Sequence, residues 1–128
     1  MYRIKEKRIK ASLNALKNRK KKLFDMIIKN HTFCNGTVGE KLEICGYKNC
    51  ICRRKINPKL HGPYQNLYYR GSDKNGTLHL TPEKAKHAKI MVQQYKKITD
   101  IIQEISCINL ELLRRKEFDL LEKELNFI

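Results

Sequence analysis

The sequence predicts an α+β fold, mostly α: a long antiparallel helical hairpin with a small cysteine-bearing loop and a two-stranded β-hairpin between the helices. Three observations point to it. Apolar residues recur at helical spacing near both ends of the chain. Residues 31–63 are punctuated by Gly36, Gly39, Gly46, Pro58 and Gly62 and show no apolar period. Residues 64–81 then alternate as two short strands around a turn. With 128 residues, the chain fits a single domain spanning 1–128.

The first helix is expected over residues 6–30. Ile9, Leu13, Leu16, Leu23 and Ile27 form one apolar seam, and Lys20 takes the skipped position. Lys10, Lys17, Arg19, Lys21 and Lys22 fall on the other faces, and no Pro or Gly interrupts the run. Residues 31–63 read as an irregular loop, and a loop that long needs a local reason to be ordered.

In the hairpin, YQNLYYR puts Leu67 and Tyr69 on one face and Tyr64, Tyr68 and Arg70 on the other. TLHLT turns Leu78 and Leu80 inward and His79 outward, and GSDKNG supplies the turn. Two strands alone are marginal, so the hairpin must pack on something else.

Thr81-Pro82-Glu83 opens the second helix, with Thr81 as N-cap and Pro82 at the first helical position. Ala85, Ala88, Val92, Tyr95, Ile98, Ile102, Ile105, Ile108 and Leu112 follow at steps of three or four, a coiled-coil-like period. The pattern runs on through Phe118, Leu121 and Leu125. Unbroken over 82–127, such a helix would be about 70 Å long. The first helix is too short to cover it, so the far end bends near residues 114–116 or packs on a second copy. A homodimer is one expectation.

The formal net charge is +15, from 28 Lys and Arg against 13 Asp and Glu. It is uneven: residues 117–128 hold four acids and one lysine, and the first thirty residues hold eleven basic groups and two acids. Some of that N-terminal charge can be answered by the acidic end. The rest repels itself unless it meets a polyanion, and nucleic acid is the commonest one. No apolar run is long enough for a membrane span, and the N-terminus lacks the apolar core of a secretory signal. Five cysteines, odd in number and unevenly spread, argue against a disulfide framework and for a reducing, cytoplasmic setting.

Cys45, Cys50, Cys52 and His61 give C-x4-C-x-C-x8-H inside the loop. Zinc takes four sulfur and nitrogen donors in a tetrahedron, and Gly46, Pro58 and Gly62 allow the chain to bend back and present them. A structural Zn²⁺ would also staple the segment that most needs it. Arg53, Arg54 and Lys55 would offset the net negative charge of three thiolates on one Zn²⁺. Cys34 is a reserve ligand in place of His61. Cys107 lies beside the apolar seam and reads as a core residue.

The run CGYKNCIC, then HGPYQNLYYR, a turn, a short strand, T-P-E and a long helix resembles a family of small bacterial and archaeal proteins of unassigned role. The resemblance covers roughly residues 36–112. It implies that Cys45, Cys50, Cys52 and His61 belong to one recurring unit with the hairpin and the helix after it. It implies no activity. The lysine-heavy first helix and the acidic end depart from the family's pattern.

Several basic groups fit phosphate contacts: Arg53, Arg54 and Lys55 on the metal loop, Arg70 on the hairpin, and the Lys20, Lys21, Lys22 run. Tyr68 shares the outer hairpin face with Tyr64, Arg70 and His79, where rings can stack on unpaired bases. Catalysis is poorly supported: acids are scarce in the middle of the chain and no phosphate loop or nucleophile elbow is present. The expected function is a non-enzymatic, zinc-stabilised nucleic-acid-binding protein, DNA or RNA. A regulator, or an accessory subunit of a mobile-element or defence ribonucleoprotein, would fit that reading. The alternative is a coiled-coil adaptor between proteins whose basic charge is incidental.

Overall fold

A computed structural model describes residues 8–125. The order of elements is α1 (Leu13–Lys29), β1 (Gly36–Glu43), a short 3-10 turn (Ile51–Arg53), β2 (His61–Arg70), β3 (Asn75–Leu80), α2 (Pro82–Arg114) and α3 (Phe118–Leu125). The chain divides into a helical unit, residues 1–31 with 97–128, and a sheet unit, residues 32–96.

The molecule is not the expected long antiparallel helical hairpin holding a two-stranded hairpin. Among the described residues it has three α-helices and a three-stranded antiparallel sheet in the order β1-β2-β3.

The extra strand, β1, lies inside the stretch expected to be irregular. It pairs antiparallel with β2, from Gly36 opposite Tyr69 to Glu43 opposite His61, with a register shift between Lys41 and Glu43. Most of its side chains are exposed, so it lacks the apolar alternation by which a strand is recognised.

In the sheet unit, Leu67 and Leu80 bury against Ala85, Ala88 and Val92 of α2, with Val38 and Cys34 packed beside them. Cys34 is held by its N–H, which donates to Met91 O at 3.1 Å. The expected cap of α2 is present: Lys84 N–H donates to Thr81 Oγ1 at 3.3 Å.

The helical unit buries Leu16 and Leu23 of α1 among Ile98, Ile101, Ile108 and Leu112 of α2, with Leu120 and Leu121 of α3 packed alongside. The first helix starts later than expected. Residues 8–12 are non-helical, Ser12 Oγ caps Ala15 N–H at 3.2 Å, and expected positions 6 and 7 lie outside the described residues.

The second helix does not run to residue 127. Lys116 N–H donates to Leu113 O and Glu117 N–H to Leu112 O, both at 3.0 Å, which is the bonding pattern of a Schellman stop. Lys116 occupies the left-handed position with φ 60°. That position is usually glycine, so nothing in the residue type announced the break. After it α3 ends at Leu125, and residues 126 and 127 lie outside the described chain. Among the described residues, no helix is long and apolar enough to cross a membrane.

Glu111 anchors the start of the described chain. Its side chain is fully buried, and Arg8 Nε and Nη2 donate to its two oxygens at 2.9 and 3.0 Å. Ile9 N–H adds a bond at 3.1 Å and Arg115 Nε one at 3.4 Å. The Arg8 hydrogen bond, more than any other contact, pulls the Glu111 carboxyl down to about 2.

Candidate metal centre

The sheet brings the cluster together. β1 ends at Glu43 opposite His61, the first residue of β2. Cys45 follows β1 by two residues, so strand pairing brings it to the end of the sheet where His61 begins β2. The chain next turns back through Tyr47, whose carbonyl accepts from Cys50 N–H at 3.3 Å. The 3-10 turn then carries Cys52, buried, on the same side as Cys50 at its N-cap.

Two bonds tighten the loop. Lys59 N–H donates to Ile51 O at 3.3 Å. Arg53 donates through Nε and Nη2 to Cys45 O at 3.1 and 2.8 Å. On the return, Gly62 takes φ +115°, where a Cβ would meet Lys41 O at 2.9 Å and Tyr64 N at 2.8 Å. Only glycine fits that crossing.

The four donor atoms of Cys45, Cys50, Cys52 and His61 all lie within 4.8 Å of one another. Cys45 Sγ and Cys52 Sγ are 3.6 Å apart, and Cys50 Sγ and His61 Nε2 are 3.1 Å apart. Four donors around one zinc, at about 2.3 Å for sulfur and about 2.0 Å for nitrogen, would stand about 3.5 to 3.8 Å from each other. Cys45 N–H also donates to Cys52 Sγ at 3.4 Å. The donor set therefore fits a metal ion. Cys34, the reserve ligand, does not belong to the cluster, being packed with the sheet core.

The thiols differ in acidity. The backbone N–H of Cys52, then the Cys45 thiol and the His61 ring, pull the Cys50 thiol down to about 6. Burial pushes the Cys52 thiol up. Beside the cluster lies a small cavity of about 160 Å³ lined by Glu43, Ile44, Cys45, His61, Tyr64 and His79.

A family model described as a domain of unknown function (DUF6788) matches residues 6–89. The chain belongs to this family. The DUF6788 match takes in all four cluster residues, the whole sheet and the start of α2. Comparison with curated proteins and with solved structures gave no match.

The remaining candidate residues divide between the two units. In the sheet unit, Tyr68 and Arg70 point to the face away from α2, together with Tyr64 and His79, as strand parity requires. The Tyr64 and His79 rings meet edge to face at 5.9 Å. A Cβ at Gly39 would come within 3.0 Å of the Tyr68 ring, so that glycine leaves room for it across β1.

Arg54 and Lys55 are exposed immediately after the 3-10 turn, whereas Arg53 spends its guanidinium on Cys45 O. In the helical unit, Lys21 and Lys22 are exposed, and Lys20 forms an ion pair with Glu124. Cys107 is half-buried, with Gln103 Nε2 3.9 Å from its sulfur. Sequence reasoning missed two roles: the bracing of the loop by Arg53 and the burial of Glu111. Glu111 did leave a signal, as the one acid inside the apolar run INLELL.

Proposed function

We propose that the sheet unit is a non-enzymatic, zinc-stabilised nucleic-acid-binding module. Zinc is the reading best supported by three cysteines and one histidine whose donor atoms gather within 4.8 Å of one another, a four-donor set that leaves no position for substrate. Its role is structural. The ion fixes the loop between β1 and β2, and the cations that follow Cys52 are carried on that fixed loop.

The observation that carries the binding proposal is the composition of the sheet's outer face. Tyr64 and Tyr68 stand exposed there beside Arg70, and Lys41 is paired opposite Tyr64. Arg54 and Lys55 add charge on the metal loop. Between Thr32 and Lys96 the chain holds twelve lysines and arginines against four acids. Rings that can stack on unpaired bases, set among cations that meet phosphate, are the makings of a single-strand platform.

The test is fluorescence anisotropy with short single-stranded RNA and DNA. Affinity should fall steeply between about 50 and 200 mM salt. Tyr68→Ala, and Arg54→Ala with Lys55→Ala, should each weaken binding while leaving metal content unchanged. Absence of binding at about 50 mM salt, or binding indifferent to salt, contradicts the proposal.

A further inference from the structure

The second half of α2 carries more apolar surface than its core uses. Ile98, Ile101, Ile108 and Leu112 are buried. Ile102, Leu110 and Leu113 recur at helical spacing on the adjoining stripe and stay 54, 38 and 53% exposed. Phe24 of α1 and Leu125 of α3 are also exposed, at 55 and 63%. These five side chains line a groove of about 1100 Å³ that lies wholly within the helical unit. Exposed apolar surface of this kind marks an interaction site more often than chance.

Two polar features qualify the occupant. Asn109 lines the groove, and its buried Oδ1 has no hydrogen-bond partner among the described residues. Lys17 and Lys21 border the groove and are exposed. A second copy of the chain would bring another net charge of +15 and set lysines against lysines.

The chain itself shows which chemistry suits this surface. Its own α3 is a short amphipathic helix with three acids and one lysine. It is set against the unit by Leu120 and Leu121 on the core and by the Lys20–Glu124 ion pair.

We infer that this groove takes an acidic amphipathic helix of a partner protein. The apolar stripe of that helix lies on Phe24, Ile102, Leu110 and Leu113, and its carboxylates face Lys17 and Lys21. Ile102 to Leu113 spans about 16 Å along α2, so the docked helix is about three turns long. This surface belongs to the helical unit and the tyrosine-bearing face to the sheet unit, and the inference does not depend on nucleic-acid binding.

The probe is a labelled helical peptide of about fifteen residues, with leucines at i, i+3, i+4 and i+7 and glutamates on both flanks. A scrambled peptide of identical composition is the control for simple charge attraction. Fluorescence polarisation is read against the full chain. The amphipathic peptide should bind at least about tenfold more tightly than the scramble, and Phe24→Ser should cost about tenfold in affinity. Circular dichroism and metal content of that variant should be unchanged. Leu113→Ser gives the same reading if Phe24→Ser does not fold, and Lys21→Glu should also weaken binding. Equal binding of the scramble, or indifference to the serine variants, overturns the inference. So does sedimentation showing a dimer that Phe24→Ser dissociates.

Discussion

His61 Nε2 stands 3.1 Å from Cys50 Sγ across eleven residues of chain. The two arrive from different elements: Cys50 stands at the N-cap position of the 3-10 turn, and His61 opens β2. A pairing of this kind needs the sheet to be in register and the loop to close on itself. Removing any of the four cluster donors should therefore do more than remove a ligand. Cys52→Ser should lose the metal and disorder the loop, seen as lost dispersion of its amide resonances, because the unfolded loop cannot hold the ion. Cys34→Ser and Cys107→Ser should keep full metal content.

The buried Glu111 carboxylate makes the helical unit sensitive to acid. Its folded value, about 2, lies below the ordinary 4.5, so the folded state prefers the ionised form. The stabilisation is complete above pH 4.5 and is lost as pH falls toward about 2. In thermal unfolding followed by circular dichroism, the wild-type midpoint should drop more steeply over that window than that of Glu111→Gln. At neutral pH, Glu111→Gln should already unfold at a lower temperature, since Arg8 and Arg115 lose their shared partner.

Lys116 holds a left-handed conformation that glycine adopts without steric cost. Lys116→Gly should raise stability by about 1 kcal/mol in urea unfolding, with the break between α2 and α3 unchanged.

Leu23 is completely buried among the helical-unit side chains. Leu23→Ala should destabilise that unit by about 2 to 5 kcal/mol, measured by the same denaturant titration.

How far the sequence announced these features depended on the kind of signal each left. The four cluster residues were legible because metal chemistry restricts residue type and spacing, whatever fold surrounds them. The β2–β3 hairpin was legible because Leu67 and Leu80 alternate with polar neighbours and face a helix. Strand β1 was not, because an edge strand with exposed side chains on most positions carries no period to read. No glycine marked the stop at Lys116, and only the mismatch in helix lengths pointed to a bend near residues 114–116.

The seam of α2 was read one stripe too wide: Ile102 joined it by spacing alone, yet the core closes over Ile101 and leaves Ile102 exposed. Periodicity identifies an apolar face, whereas the partner helix decides which part of that face is covered. The Lys20–Glu124 ion pair is an instance of the acidic end answering the basic first helix, as the charge distribution suggested, whereas the pairing of Arg8 with Glu111 depends on tertiary placement and was not marked by any spacing.

The central claim is that Cys45, Cys50, Cys52 and His61 hold a structural zinc ion. Native mass spectrometry of the purified full chain tests it most directly, with wild type and Cys52→Ser compared under the same conditions. A structural zinc predicts one ion per wild-type chain, none in the variant, and loss of loop order when a chelator strips the ion. A metal-free wild-type chain whose residues 45–61 keep their ordered amide resonances would contradict it.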